Sequence, residues 1–154
     1  MDTRSINHYQ VKGYATIFDT PYKLYGDSRC EIWEQIRRYA FDDTAMGNVW
    51  LLHDHKGAPL ATTEEGTLQL HIKKKGLLIV ADLSKSNRSR EFAEEIKCGV
   101  YQMSIGMIAD TTRDYWHTFE DNGKLIVVRT VNRILSLREV TITTEPANPE
   151  TMIR

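Results

Sequence analysis

Hydrophobic and polar residues alternate in period two along much of this chain. The clearest case is Tyr101-Gln102-Met103-Ser104-Ile105-Gly106-Met107. Met103, Ile105 and Met107 share one face, and Gln102, Ser104 and Gly106 share the other, as in a strand with one packed side. The less apolar face sets a hydroxyl beside a residue without a side chain, where a backbone or substrate can come close. Upstream, residues 11–18 read as a strand, with Gly13 a candidate bulge and Asp19-Thr20-Pro21 ending it. Residues 22–29 read as a loop and residues 31–36 as a weakly alternating strand. Residues 40–46 read as a short helical turn stopped by Gly47. Val49-Trp50-Leu51-Leu52 suits a short buried strand; it runs into His53-Asp54-His55, and Lys56-Gly57-Ala58-Pro59 then breaks the pattern.

Residues 67–72 and 77–83, joined across Lys74-Lys75-Gly76, give the strongest hairpin signal. Residues 86–98 are the one clear helix. Ser86 or Asn87 can cap it, Phe92, Ala93 and Ile96 form its apolar stripe, and Gly99 stops it. Residues 115–119 and 124–131 flank the turn Asp121-Asn122-Gly123, and residues 136–144 form a last β-rich run. Glu145-Pro146-Ala147-Asn148-Pro149 ends regular structure. Many short strands and one good helix predict a mainly β, α+β fold: a β-barrel or sandwich with peripheral helices. Parallel βαβ alternation is absent.

Composition narrows this picture without redirecting it. A length of 154 residues, 41% hydrophobic and 27% charged, suits a single domain with a real core. The expected domain is 1–154, with residues 1–9 loose. A net charge of -1 gives no electrostatic case for nucleic acid or an anionic membrane. Lys73-Lys74-Lys75 reads as a solvated hairpin turn. No apolar run approaches the roughly 18 residues of a membrane span, and Met1-Asp2-Thr3-Arg4-Ser5 lacks the apolar core of a signal peptide. A cytoplasmic protein is expected, with Cys30 and Cys98 as free thiols.

Ser104 becomes a nucleophile only with a base in reach and a group to orient that base. Of the five histidines, His8 lies near the N-terminus, His71 on the solvent face of a hairpin, and His117 in a β-ribbon. His53 and His55 close the strand opened by Val49, where side chains leave a packed scaffold. If that strand continues, both project to one face. They then read as a base, as a metal half-site lacking further ligands, or as polar residues at a strand end. Glu139 interrupts an otherwise strong strand, where glutamate is disfavoured. It reads as an orienting group or as a cross-strand ion pair with Arg138 or Arg129.

Four ordered segments resemble the tailed-phage prohead maturation protease family, which is related to the herpesvirus assemblins. They are Gly13-Tyr14-Ala15-Thr16-Ile17-Phe18; Glu34-Gln35-Ile36 with Ala40-Phe41, the strand from Val49 to His55 and Pro59-Leu60; Gly99 with Gln102 to Met107; and Leu137-Arg138-Glu139-Val140-Thr141-Ile142 with Pro146-Ala147-Asn148-Pro149. Lys56 stands where that family usually has aspartate, Tyr39 and Ala61 where glycines are common, and Thr141 where serine is usual. The resemblance implies a closed or nearly closed herpesvirus-protease-like β-barrel. It implies a serine endopeptidase with Ser104 as nucleophile, His55 as base and Glu139 as third member. His55 is chosen over His53 because it lies six residues after Val49.

No cofactor and no metal are implied. The implied substrates are capsid or scaffold segments and the protease's own tail, inside the immature prohead in the host cytoplasm. A homodimer or higher oligomer, a tail after residue 149 shortened or processed, and oxyanion donors in the turn at residues 144–148 are further expectations. Two other classes stay open: a non-catalytic β-barrel scaffold, and a metal-dependent hydrolase at His53 and His55.

Overall fold

The computed structural model describes residues 8–99, 101–144 and 153. It contains eleven strands and one α-helix among those residues: β1 (Gln10–Ile17), β2 (Tyr22–Gly26), β3 (Cys30–Ile36), β4 (Trp50–His53), β5 (Lys56–Thr62), β6 (Leu68–Ile72), β7 (Gly76–Asp82), α1 (Asn87–Cys98), β8 (Gln102–Ala109), β9 (Tyr115–Asp121), β10 (Lys124–Val131) and β11 (Ile134–Thr143). The mainly β, α+β expectation holds. The strands form three sheets, ordered β1-β7-β6, β2-β3-β10-β9 and β5-β4-β11-β8.

No sheet closes into a barrel, which corrects the closed-barrel expectation. A barrel needs a ladder at every seam. β1 and β8 lie close, but Ile153 stands between β1 and the start of β8. It bridges Gly13 of β1, and its amide donates to Tyr101 O at 3.4 Å. The bulge in β1 falls between Tyr14 and Thr16 rather than at Gly13.

The core gathers one face from each strand that alternates cleanly. Val11, Leu51, Leu77, Ile79, Met103 and Ile142 are fully enclosed, each contributing about 1.5–3 kcal/mol of burial. Ser86 caps α1 by accepting from the Ser89 amide at 3.1 Å, and the Gly99 amide closes its other end on Glu95 O. Phe92, Ala93 and Ile96 press inward, as their spacing predicts. The first turn of α1 holds the edge strand β5: Arg88 donates to Ala58 O and the buried Ser89 hydroxyl to Leu60 O.

Three expectations fail locally. Residues 22–29 contain strand β2, paired with β3 across an Asx turn in which Asp27 Oδ1 accepts from the Arg29 and Cys30 amides. Residues 40–46 make successive turns and no helix, because Ala45 is drawn into a bridge with Ser136. Lys56-Gly57-Ala58-Pro59 opens β5; an edge strand tolerates its proline. The hairpins β6–β7 and β9–β10 form as expected, the latter through Asn122 and Gly123 at φ 50 and 80°.

Candidate active site

The sheet β5-β4-β11-β8 builds the site from three neighbouring strands. β4 runs parallel to β11, and β8 runs antiparallel to it on the other side. β4 does not continue past His53. A two-residue turn at Asp54 and His55, with φ of 51 and 60°, sends the chain back into β5. Both central residues are left-handed, as in the tight hairpin turns that favour Asn-Gly or Asp-Gly; here the second is histidine. β11 holds the turn: Ile142 O accepts from the Asp54 amide at 3.1 Å, and Thr141 Oγ1 from the His55 amide at 2.8 Å.

The reversal separates the two histidines, which corrects their placement on one face. The His53 ring packs on Phe92, centroids 4.4 Å apart, meets Tyr101 edge-on and has Nε2 3.3 Å from Asp54 Oδ2. It borders a small hollow of about 170 Å³ with Leu60, Arg88, Glu91 and Glu95. Tyr101 holds its proton to higher pH through partial burial and then through the charge of Glu95, to which it donates. His55 turns the other way. Its Nδ1 is hydrogen-bonded to Glu139 Oε1, with the imidazole half-exposed and the carboxylate largely covered.

Glu139 fits because of the glycine opposite it. Glu139 and Gly106 are cross-strand partners, and a β-carbon at position 106 would lie 2.9 Å from Glu139 Cδ and Cγ. The room that Gly106 leaves is therefore filled by the carboxylate, not kept open for substrate. The second carboxylate oxygen, Oε2, is buried without a partner. Glu139 pairs with neither Arg138 nor Arg129; Arg129 is taken by Glu34 and Asp114.

Ser104 lies one pleat from Gly106 on the same face of β8, about 7 Å along the strand, and directly opposite Thr141. Residues facing across an antiparallel pair have β-carbons about 5 Å apart. Ser104 and the His55 turn are thus both neighbours of Thr141. No hydrogen bond joins the Ser104 hydroxyl to the His55 ring in this structure. Catalytic contacts of this kind often tighten only when substrate binds.

The remaining histidines stand apart. His8 meets Glu94, His71 meets Gln69, and His117 stacks between Tyr115 and Phe119. Among the described residues no three His, Cys, Asp or Glu side chains converge as metal ligands. A hollow of about 720 Å³, bordered by Asp19, Arg37, Tyr39 and Lys73, holds none of the candidate residues; it is an open gap between loops. The oxyanion turn proposed at residues 144–148 lies, apart from Thr144, outside the described residues. Sequence reading missed the tie from Thr141 to His55. Its one local signal was a threonine two residues after Glu139, on the same face of the strand.

Among the described residues no helix is long and apolar enough to cross a membrane. No curated protein and no solved structure matches the chain. One family model does, across residues 1–154: that of the caudovirus prohead serine proteases, a family of serine peptidases. With every residue of the chain inside that match, the protein belongs to the caudovirus prohead serine protease family.

Proposed function

We propose that this chain is a capsid-maturation endopeptidase whose reaction is carried by Ser104, His55 and Glu139. The observation that supports it best is the bond between His55 Nδ1 and Glu139 Oε1, formed beside the strand that bears Ser104. A carboxylate only accepts, so it holds the imidazole proton on Nδ1 and leaves the Nε2 lone pair free to act as base.

Ser104 Oγ attacks the scissile carbonyl carbon as its proton passes to His55. The tetrahedral intermediate collapses when His55 returns that proton to the departing amine, leaving an acyl-enzyme on Ser104. Water, deprotonated by His55, then attacks the ester and frees Ser104. Glu139 stabilises the imidazolium at each stage without itself taking the proton. In chain order the unit is His, Ser, Glu, unlike the orders found in chymotrypsin-like and α/β-hydrolase enzymes, so it is a convergent arrangement.

The substrates are segments of the capsid or scaffold protein and the protease's own tail, met inside the immature prohead in the host cytoplasm. The test is co-expression with the cognate capsid protein. Wild type cleaves it, and Ser104→Ala, soluble and folded, does not, with a loss on the order of 10⁴-fold or more. Retained cleavage by Ser104→Ala overturns the reading.

A further inference from the structure

We infer that Thr141 is the positioning residue of this site: its hydroxyl fixes the left-handed turn that aims the His55 imidazole at Glu139. This rests on the reading of Ser104, His55 and Glu139 as one catalytic unit.

The ladder between β4 and β11 reaches His53, paired with Ile142, and one further bond, from the Asp54 amide to Ile142 O. There the chain reverses. Thr141 is fully enclosed, and its Oγ1 has two contacts that use the donating and accepting capacity of a hydroxyl together. It donates to Leu52 O at 3.0 Å and accepts from the His55 amide at 2.8 Å. One hydroxyl thus ties Leu52 of β4 to the second residue of the reversal, His55.

That tie matters because of the backbone it holds. Asp54 and His55 are consecutive non-glycine residues at positive φ, a conformation that is uncommon and persists where surrounding contacts over-determine it. A glycine would adopt it freely but would carry no imidazole. Histidine must therefore be held there, and Thr141 supplies a bond to its own backbone. Thr141 also stands directly across from Ser104, and Glu139 lies two residues earlier on the same face of β11. Any shift of the turn relative to β11 changes the distance from His55 to both other members at once. Misplacement on the scale of an ångström can cost about 100-fold in rate.

Thr141→Val keeps shape and volume and deletes both bonds; Thr141→Ser keeps both. Purified variants are titrated with a fluorophosphonate probe, giving the maximal labelling rate and the probe's half-saturation concentration. Exchange of the His55 amide is followed by NMR, and melting confirms folding. Thr141→Val is expected to label about 10- to 100-fold more slowly at unchanged half-saturation, with faster exchange at the His55 amide. Thr141→Ser is expected to restore both. If Thr141→Val fails to fold, Thr141→Ala carries the same expectation. Labelling at the wild-type rate with unchanged exchange in the valine variant overturns the inference, as does a serine variant as slow as valine. A His55→Ala variant separates the two levels. If it labels at full speed, the catalytic reading itself fails; if it is inert while Thr141→Val is fully active, only the positioning role fails.

Discussion

Glu34 and Glu139 each stand mid-strand in a four-stranded sheet that contains one parallel pair. Both are sheltered from water, and strand propensity disfavours both. Their partners differ. Glu34 has both oxygens engaged: Oε1 accepts from Tyr22 Oη at 2.5 Å and Oε2 from Arg129 Nη1 at 3.0 Å. Arg129 in turn reaches Asp114 through Nε at 2.7 Å. Burial works against its charge, but the bond to Asp114 and the charges of Asp114 and Glu34 outweigh that and raise its pKa. Glu139 meets a half-exposed imidazole with one oxygen and leaves the other buried and unpaired. The first cluster meets both oxygens of Glu34 with a phenol and a permanent cation, which is what a structural ion pair needs, although Asp114 Oδ1 within it is also buried without a partner. The second couples a carboxylate to an imidazole, a group that can both take up and release a proton. A glutamate in a strand is therefore not itself a functional signal; the partner decides.

The largest expected difference between the two lies in rate. Glu139→Gln should keep the fold and lower kcat by about 10⁴-fold, because the amide no longer holds the imidazole tautomer. Measured with the cognate capsid protein, an effect below tenfold would place Glu139 with Glu34 as a structural residue. Glu34→Ala should act the other way. Removing one member of a buried, hydrogen-bonded pair costs about 3 kcal/mol, the lower end of the usual range because Arg129 retains Asp114. Urea unfolding reads it, and the labelling rate of the folded fraction should stay within about twofold of wild type.

Gly106→Ala sits between these. Its β-carbon would displace the Glu139 carboxylate, so activity should fall about 100-fold while stability drops about 1–3 kcal/mol. A variant of normal activity would show that the His55–Glu139 bond tolerates displacement. The smallest effect concerns pH. Burial, and then the negative charge of Glu34, raises the Tyr22 pKa above its ordinary 10.0. A raised pKa means that the fold favours the protonated phenol. Its contribution is complete below about pH 10 and is lost as pH rises beyond. Tyr22→Phe should therefore flatten the alkaline decline of the urea midpoint; an unchanged decline would mean that other groups cause it.

The sequence disclosed what period-two alternation encodes, and the structure supplied what it does not. Hairpins β6–β7 and β9–β10 were legible because turn residues and strand faces agree locally. The parallel pairs β3–β10 and β4–β11 were not, since alternation tells which face is buried but not which strand lies alongside. β2 escaped because four of its five residues are exposed and show no alternation. The closed barrel failed for a long-range reason: the strands divide among three separate sheets, and which strand lies beside which is not written in the alternation.

At the candidate site, Ser104 and Glu139 stood out on strand pattern, and their membership of one sheet was not readable. His53 and His55 could not be told apart by pattern, because the turn that divides them uses Asp-His where turn chemistry favours glycine second. Local rules give way most often where a site demands it.

The most direct test of Ser104 as nucleophile is to identify the residue that a fluorophosphonate modifies in the wild-type protein, by peptide mapping under conditions where the capsid substrate is cleaved. One adduct is expected, on Ser104, formed far more slowly in His55→Ala. An adduct on another serine, or an unmodified Ser104 in cleavage-competent protein, would contradict it.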